Sequence, residues 1–302
     1  MINKDNRWRG TSLITLSAVF FASYGAWSRL MQTSLGEFSQ AWTRAAFLLP
    51  ILIIVGALTK QFKSIKKADW RWFFLIGSMG ALNQAPYYYA FAHLPVGLAT
   101  LLFYSGLTLG GYIIGTLFFK EKLTKIKLIS LGLALLGLMV MFGRDVNSIL
   151  ILPILASFIA GAMGATAVVF SKKLSSNYSE LQIIMSYLVL MLPTNLILSK
   201  IFGENLPAIS NFAVWLPAIG YALSLLFANL AVVAGFRYLE PSVGALIGLS
   251  EVVLAGVYGT FLFADKLTEV MMIGSAIVLL AIALPELIKL KHQRHLLSTS
   301  IR

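Results

Sequence analysis

The 302-residue chain contains no cysteine. It therefore has no disulfide framework, no thiolate nucleophile, no Cys-ligated cluster and no palmitoylation site. Histidine is almost as scarce: His93 falls in a loop and His292 and His295 in the tail, too few and too scattered for a metal centre. No Gly-x-x-x-x-Gly-Lys-Ser/Thr loop or other nucleotide fingerprint is present. With one acid in mid-membrane and no nucleophile and base pair, an intramembrane enzyme has no constellation to use. No cofactor and no metal are expected. Charge is the other shortage: 12% of residues are charged, against about a quarter in an ordinary soluble domain.

What fills the chain instead is apolar, at 58% of residues. Between Arg71 and Lys120 lie 48 residues without an Asp, Glu, Lys or Arg, broken only near His93-Leu94-Pro95-Val96-Gly97. About 20 apolar residues cross a bilayer, so this run holds two crossings. The whole chain parses into ten helical spans, near 11–31, 39–59, 71–92, 95–119, 125–143, 147–170, 179–199, 212–237, 241–263 and 267–290. Helices are required because lipid offers no partner for backbone N–H and C=O groups, and the alternation of barrel strands is missing. The first span follows Lys4, Arg7 and Arg9 but is too long for a secretory signal and lacks a small-residue cleavage site, so it is read as a mature helix.

Orientation follows from basic residues. With the N-terminus inside, nineteen of the 24 Lys and Arg residues fall in inside segments, four (Arg29, Arg144, Lys200, Lys266) outside, and Arg44 within a span. The positive-inside bias puts both termini in the cytoplasm. It also accounts for the net charge of +12 without nucleic acid, for which no folded basic domain exists. The sequon Asn177-Tyr178-Ser179 then lies in the cytoplasm.

One sentence is written twice. GTLFFKEKLT at 115–124 returns as GTFLFADKLT at 259–268, with six identities in ten. The first copy closes span four and enters an inside loop; the second closes span nine and enters an outside loop, because five crossings separate them. Glu37 and Glu180, Pro50 and Pro193, Trp72 and Trp215, Asn83 and Asn229, and Pro95 and Pro241 recur at similar offsets. The reading is an all-α membrane protein of two inverted five-helix repeats, 1–145 and 146–290, with a cytoplasmic tail at 291–302. Inverted halves can exchange conformations around a shared midplane site, which is alternating access.

These residues resemble the EamA-type transporters of the drug/metabolite transporter superfamily. The likeness rests on Trp42-Thr43-Arg44 early in span two, Pro95 and Pro241 opening spans four and nine, Tyr238-Leu239-Glu240-Pro241-Ser242, and the closing acid-Lys-Leu-Thr at Glu121 to Thr124 and Asp265 to Thr268. It implies an inner-membrane exporter of amino acids or related small metabolites, working in the bilayer with protons or another ion as a possible coupling partner. Where the family often has Glu-Pro in mid-span, this chain reads Ser250-Glu251-Val252 and Tyr104-Ser105-Gly106.

Candidate transport residues follow from polarity in apolar spans. Glu251 can bind a substrate ammonium, take up a proton, or bond a neighbouring helix. Arg44, about two turns into span two, can clamp a carboxylate, snorkel outward or pair with Glu37. The amides Asn83, Gln84 and Asn229 can read a polar solute or bond between helices. Tyr87, with Tyr88 and Tyr89, can stack on substrate or form an interfacial belt, and Tyr104 stands nearly opposite Glu251 in the repeat alignment. Trp8, Trp70 and Trp72 are expected in an inner belt and Trp215 in an outer one. Spans three, four, eight and nine are expected at the centre, with five and ten as buttresses. A passive facilitator and a non-transporting scaffold remain as alternatives.

Overall fold

The computed structural model describes residues 4–31, 34–94, 96–142, 151–266 and 268–299. The expected helix-opening Pro95 and the first repeat boundary near 145 lie outside them. Among the described residues there are thirteen helices: α1 (Lys4–Ala22), α2 (Tyr24–Met31), α3 (Glu37–Leu58), α4 (Trp70–Leu82), α5 (Gln84–His93), α6 (Val96–Phe119), α7 (Lys125–Phe142), α8 (Ile151–Leu174), α9 (Glu180–Ile201), α10 (Phe212–Phe236), α11 (Pro241–Gly248), α12 (Ser250–Phe263) and α13 (Glu269–Thr299). They make ten crossings, because α1–α2, α4–α5 and α11–α12 are each one span interrupted by a single residue.

Each interruption has a local cause. Pro86 removes an N–H and crowds the carbonyl of Leu82, so the third crossing breaks at Asn83. The first breaks at Ser23, whose hydroxyl bonds back to the Phe20 carbonyl at 2.7 Å, two residues before Gly25. The ninth breaks at Leu249, between Gly248 and Ser250. Gly and Ser close together are an ordinary cause of a kink, so the ninth span breaks without a proline. One correction is α13, which continues helically to Thr299 through most of the expected tail.

The packing is that of two inverted halves. α1 lies on α10 as α8 lies on α4 and α5, and α10 lies on α3 as α4 lies on α9. The pairs that a twofold in the membrane plane maps onto themselves, α3 with α9, α6 with α11 and α7 with α13, are all in contact. Glycines set the closest approaches. A methyl group at Gly106 would come 2.1 Å from the Phe158 carbonyl oxygen, and one at Gly161 would come 1.9 Å from that of Phe103, so α6 and α8 touch backbone to backbone. The α7–α13 pair stands at the periphery, as expected of buttresses.

The twice-written decapeptide builds one turn twice. Lys120 and Ala264 both take the left-handed conformation, at φ 54° and 56°. Glu121 N–H bonds the Gly115 carbonyl at 3.0 Å and Asp265 N–H bonds that of Gly259 at 3.2 Å, closing each helix. Both acids fold back over their glycine: a methyl at Gly115 or Gly259 would lie 2.9 Å from the carboxylate. Thr124 and Thr268 then accept the backbone N–H groups of Lys127 and Met271 at 3.3 and 3.2 Å, starting the next helix. Helix stop, acid and helix start are the content of the repeated sentence.

The two ends of the bundle differ in closure. At the basic end one cluster takes Ile14 of α1, Ile76 of α4, Ile114 of α6, Phe170 of α8, Phe236 of α10 and Ile247 of α11, joining both repeats. Loop segments clasp there too: Gln182 exchanges hydrogen bonds with the Lys63 backbone, and the Tyr178 hydroxyl receives the Lys66 N–H and donates to Asp69. Separate clusters of buried residues lie on α3, α4, α9 and α10 and, further out, on α5 and α6. A methyl at Gly25 or Gly248 would meet no atom within 4 Å. At the basic end both repeats are thus joined by one apolar cluster and by the loop clasps, beside a cavity of about 510 Å³.

Candidate functional site

Arg44 is the most unusual side chain in the bundle. It is 1% exposed, two turns into α3, and it does not snorkel. Its Nε donates to the Gln40 carbonyl at 2.9 Å, and the guanidinium lies 3.9 Å from the Tyr221 ring centre and 5.7 Å from that of Tyr24. Among the described residues no carboxylate pairs with it, Glu37 included. Its Nη2 has no hydrogen-bond partner, and neither do the buried hydroxyls of Tyr24 and Tyr187. Unmatched donors of this kind in a dry interior are costly unless something else accepts from them.

Glu251 sits in the first turn of α12, where the helix dipole favours negative charge. Tyr104 of α6 donates to its Oε1 at 2.8 Å, across the boundary between the repeats. The sequence pairing of these two positions is thus a physical contact. Each charge thus meets a tyrosine of the opposite repeat, Arg44 the ring of Tyr221 and Glu251 the hydroxyl of Tyr104.

The other candidates fall around or away from it. Tyr87 stacks on Phe103 at 4.2 Å, and Phe103 meets Tyr104 edge-on, which ties α5 to the Glu251 partner. Tyr88 packs edge-on against Phe38, whereas Tyr89 is more exposed and stacks on His93. Asn83 is the break residue of the third crossing, and its Oδ1 has no partner. Gln84 is half-buried beside it. Asn229 is buried with its amide donating to Leu225 of its own helix at 2.8 Å, so that donor is used locally. Trp8 and Trp70 are exposed at the basic end, and Trp72 is partly buried there, stacked on Phe170 with Lys173 5.1 Å from its ring. Trp215 bonds the Ala208 carbonyl at the outer end.

Tyr24, Tyr187 and Tyr221 were not singled out by the sequence reading. Their signal was available: a tyrosine in mid-span must place its hydroxyl somewhere, and these three lie on α2, α9 and α10 with no such partner obvious nearby in sequence.

Comparison with known proteins rests on two matches. The EamA-like transporter family matches residues 8–143 and, a second time, 151–285. The chain belongs to the EamA-like transporter family. It is a multi-pass membrane transporter and not an enzyme. No curated protein matches it. A solved crystal structure superposes on the chain with a TM-score of 0.78 at 14% identity, covering 93% of this chain and 98% of its own, and shares the fold. The double family match agrees with the two inverted halves of this EamA-like carrier, and the Arg44–Tyr221 and Tyr104–Glu251 contacts both cross between those halves.

Proposed function

We propose that this EamA-like carrier exports zwitterionic small metabolites, amino acids foremost, across a bacterial inner membrane by alternating access. The observation that carries the reading is the fully buried, carboxylate-free Arg44 beside unpartnered tyrosine hydroxyls. A guanidinium fork with free N–H groups suits a substrate carboxylate. Glu251, released from Tyr104, suits the substrate ammonium or, in the empty carrier, a proton. The tyrosine faces between them favour a cation or an apolar side chain.

The test loads proteoliposomes with a mixed panel of amino acids, amines, carboxylic acids and neutral solutes, and follows efflux by mass spectrometry with and without a pH gradient. Selective loss of solutes bearing both charges is expected. Equal efflux of neutral solutes, indifferent to the gradient, would favour a passive facilitator. Retention of every zwitterion by folded protein would refute the reading.

A further inference from the structure

The acids of the repeated decapeptide occupy equivalent places in sequence and unequal places in the structure. Glu121, 5% exposed, reaches across the repeat boundary to the start of α11. There it accepts from the Ser242 hydroxyl and, at 3.4 Å, from the Ser242 N–H, so it caps the first turn of the ninth crossing. Lys127 holds it at 3.2 Å and binds Glu240 at 2.7 Å, while Lys172 donates to the Leu239 carbonyl. Together these tie the end of α6 to the start of α11 at the inner end of the bundle, in the wall of a cavity of about 510 Å³.

Asp265 sits on the same turn, folded over Gly259 as Glu121 is over Gly115. Its side chain is 48% exposed, and it pairs with Arg29 of α2 at 2.7 Å instead of with another helix start. The helix start equivalent to that of α11 is that of α6, whose first residue is Val96.

We propose that Glu121 and Asp265 are the two latches of the transport cycle. Glu121 closes the inner end by capping α11, and in the opposite state Asp265 leaves Arg29 and closes the outer end by capping α6. The inference rests on the carrier reading above, because only inverted halves that exchange conformations require the two acids to exchange environments. The latches are unequal. Asp265 is one methylene shorter, Val96 has no hydroxyl where Ser242 has one, and Met271 stands in the place of Lys127. The inner latch is the stronger, so the outward-facing state is the resting one.

The absence of native cysteine makes the test direct. Ala245 of α11 packs at the α6 seam, where a methyl on Gly111 would lie 2.5 Å from its Cβ. An Ala245→Cys reporter is buried while the inner end is sealed. In proteoliposomes its reaction with a water-borne maleimide is expected to rise about tenfold or more in Glu121→Gln, since a charge-assisted contact is lost from one state only. Ser242→Ala should produce the same rise. Asp265→Asn should leave the reporter silent, and Arg29→Ala should raise its reactivity slightly by freeing Asp265. Tryptophan-fluorescence melting of each variant separates opening from unfolding. A silent reporter in both Glu121→Gln and Ser242→Ala, with zwitterion efflux intact in the parent protein, overturns the latch and leaves the carrier reading standing. A responsive reporter in a protein that moves no zwitterion overturns the substrate reading and leaves the latch. A rise in reactivity only in step with a collapse of the melting temperature overturns the latch, because it makes Glu121 a packing residue.

Discussion

Arg44→Met separates a binding cation from a structural one. Holding a cation in mid-membrane costs roughly 2.5–3.5 kcal/mol on insertion scales. Against that, a desolvated stack such as that over Tyr221 returns about 2 kcal/mol, and a charge-assisted bond such as that to Gln40 returns about 1.5–3 kcal/mol. The terms nearly cancel. Methionine keeps most of the volume and removes the buried charge, so the variant should melt within a few degrees of the parent in detergent. Substrate binding should not be spared. Removing one partner of a buried charged contact costs about 2–5 kcal/mol, so half-saturation for carboxylate-bearing solutes should rise about 30-fold or more. Efflux from loaded proteoliposomes over a range of internal concentrations measures this, with an amine of the same size lacking the carboxylate as comparison. The amine should be carried as well as before or better. Equal loss for both solutes, or a melting temperature that falls as far as efflux does, would refute the assignment and make Arg44 part of the scaffold.

Other changes test other parts of the argument. Tyr104→Phe removes the 2.8 Å bond that Glu251 gives up to hold an ammonium, so half-saturation for ammonium-bearing solutes should fall about fivefold, as about 1 kcal/mol implies, while solutes without an amine are unaffected. Gly161→Ala would place a methyl 1.9 Å from a carbonyl oxygen and force α6 from α8, costing more than about 3 kcal/mol, which size-exclusion profile and melting temperature would report. In contrast Gly132→Ala, with open space around it, should gain about 0.5–1 kcal/mol, and a loss there would discredit the packing argument. Lys120→Gly and Ala264→Gly relieve left-handed backbone at each repeated turn and should each raise the melting temperature slightly, by roughly 0.5 kcal/mol after glycine's own entropy is counted. A drop in both would show the turns are held by their side chains instead.

Much of the architecture could be read in one dimension because a bilayer imposes one-dimensional constraints. A charge-free run must cross, the Lys and Arg bias must face the cytoplasm, and an odd number of crossings between two copies of a decapeptide must invert them. That Tyr104 and Glu251 occupy nearly equivalent places was legible in the repeat, but their 2.8 Å bond was decided by how the repeats pack. Other features were written in the backbone alone. Lys60 and Gly203 make equivalent left-handed helix ends, closed by Gln61 N–H to Gly56 and Glu204 N–H to Ser199, from sequences with almost nothing in common. Such a turn is specified by hydrogen bonds at the helix end, which many side chains permit.

The sequence by itself determined the crossings, their orientation, the inverted halves and the presence of two charges in the membrane. Only the tertiary structure decided what those charges face. Whether Arg44 snorkels, pairs with Glu37 or stacks on tyrosine depends on how α3 is rotated against α2, α9 and α10, and helices far apart in the chain supply Tyr24, Tyr187 and Tyr221. The same is true of Glu121 and Asp265, which one repeated sentence sets on identical turns. Their different partners come from the state of the bundle, because a conformation that seals one end of an inverted pair must leave the other end unlatched.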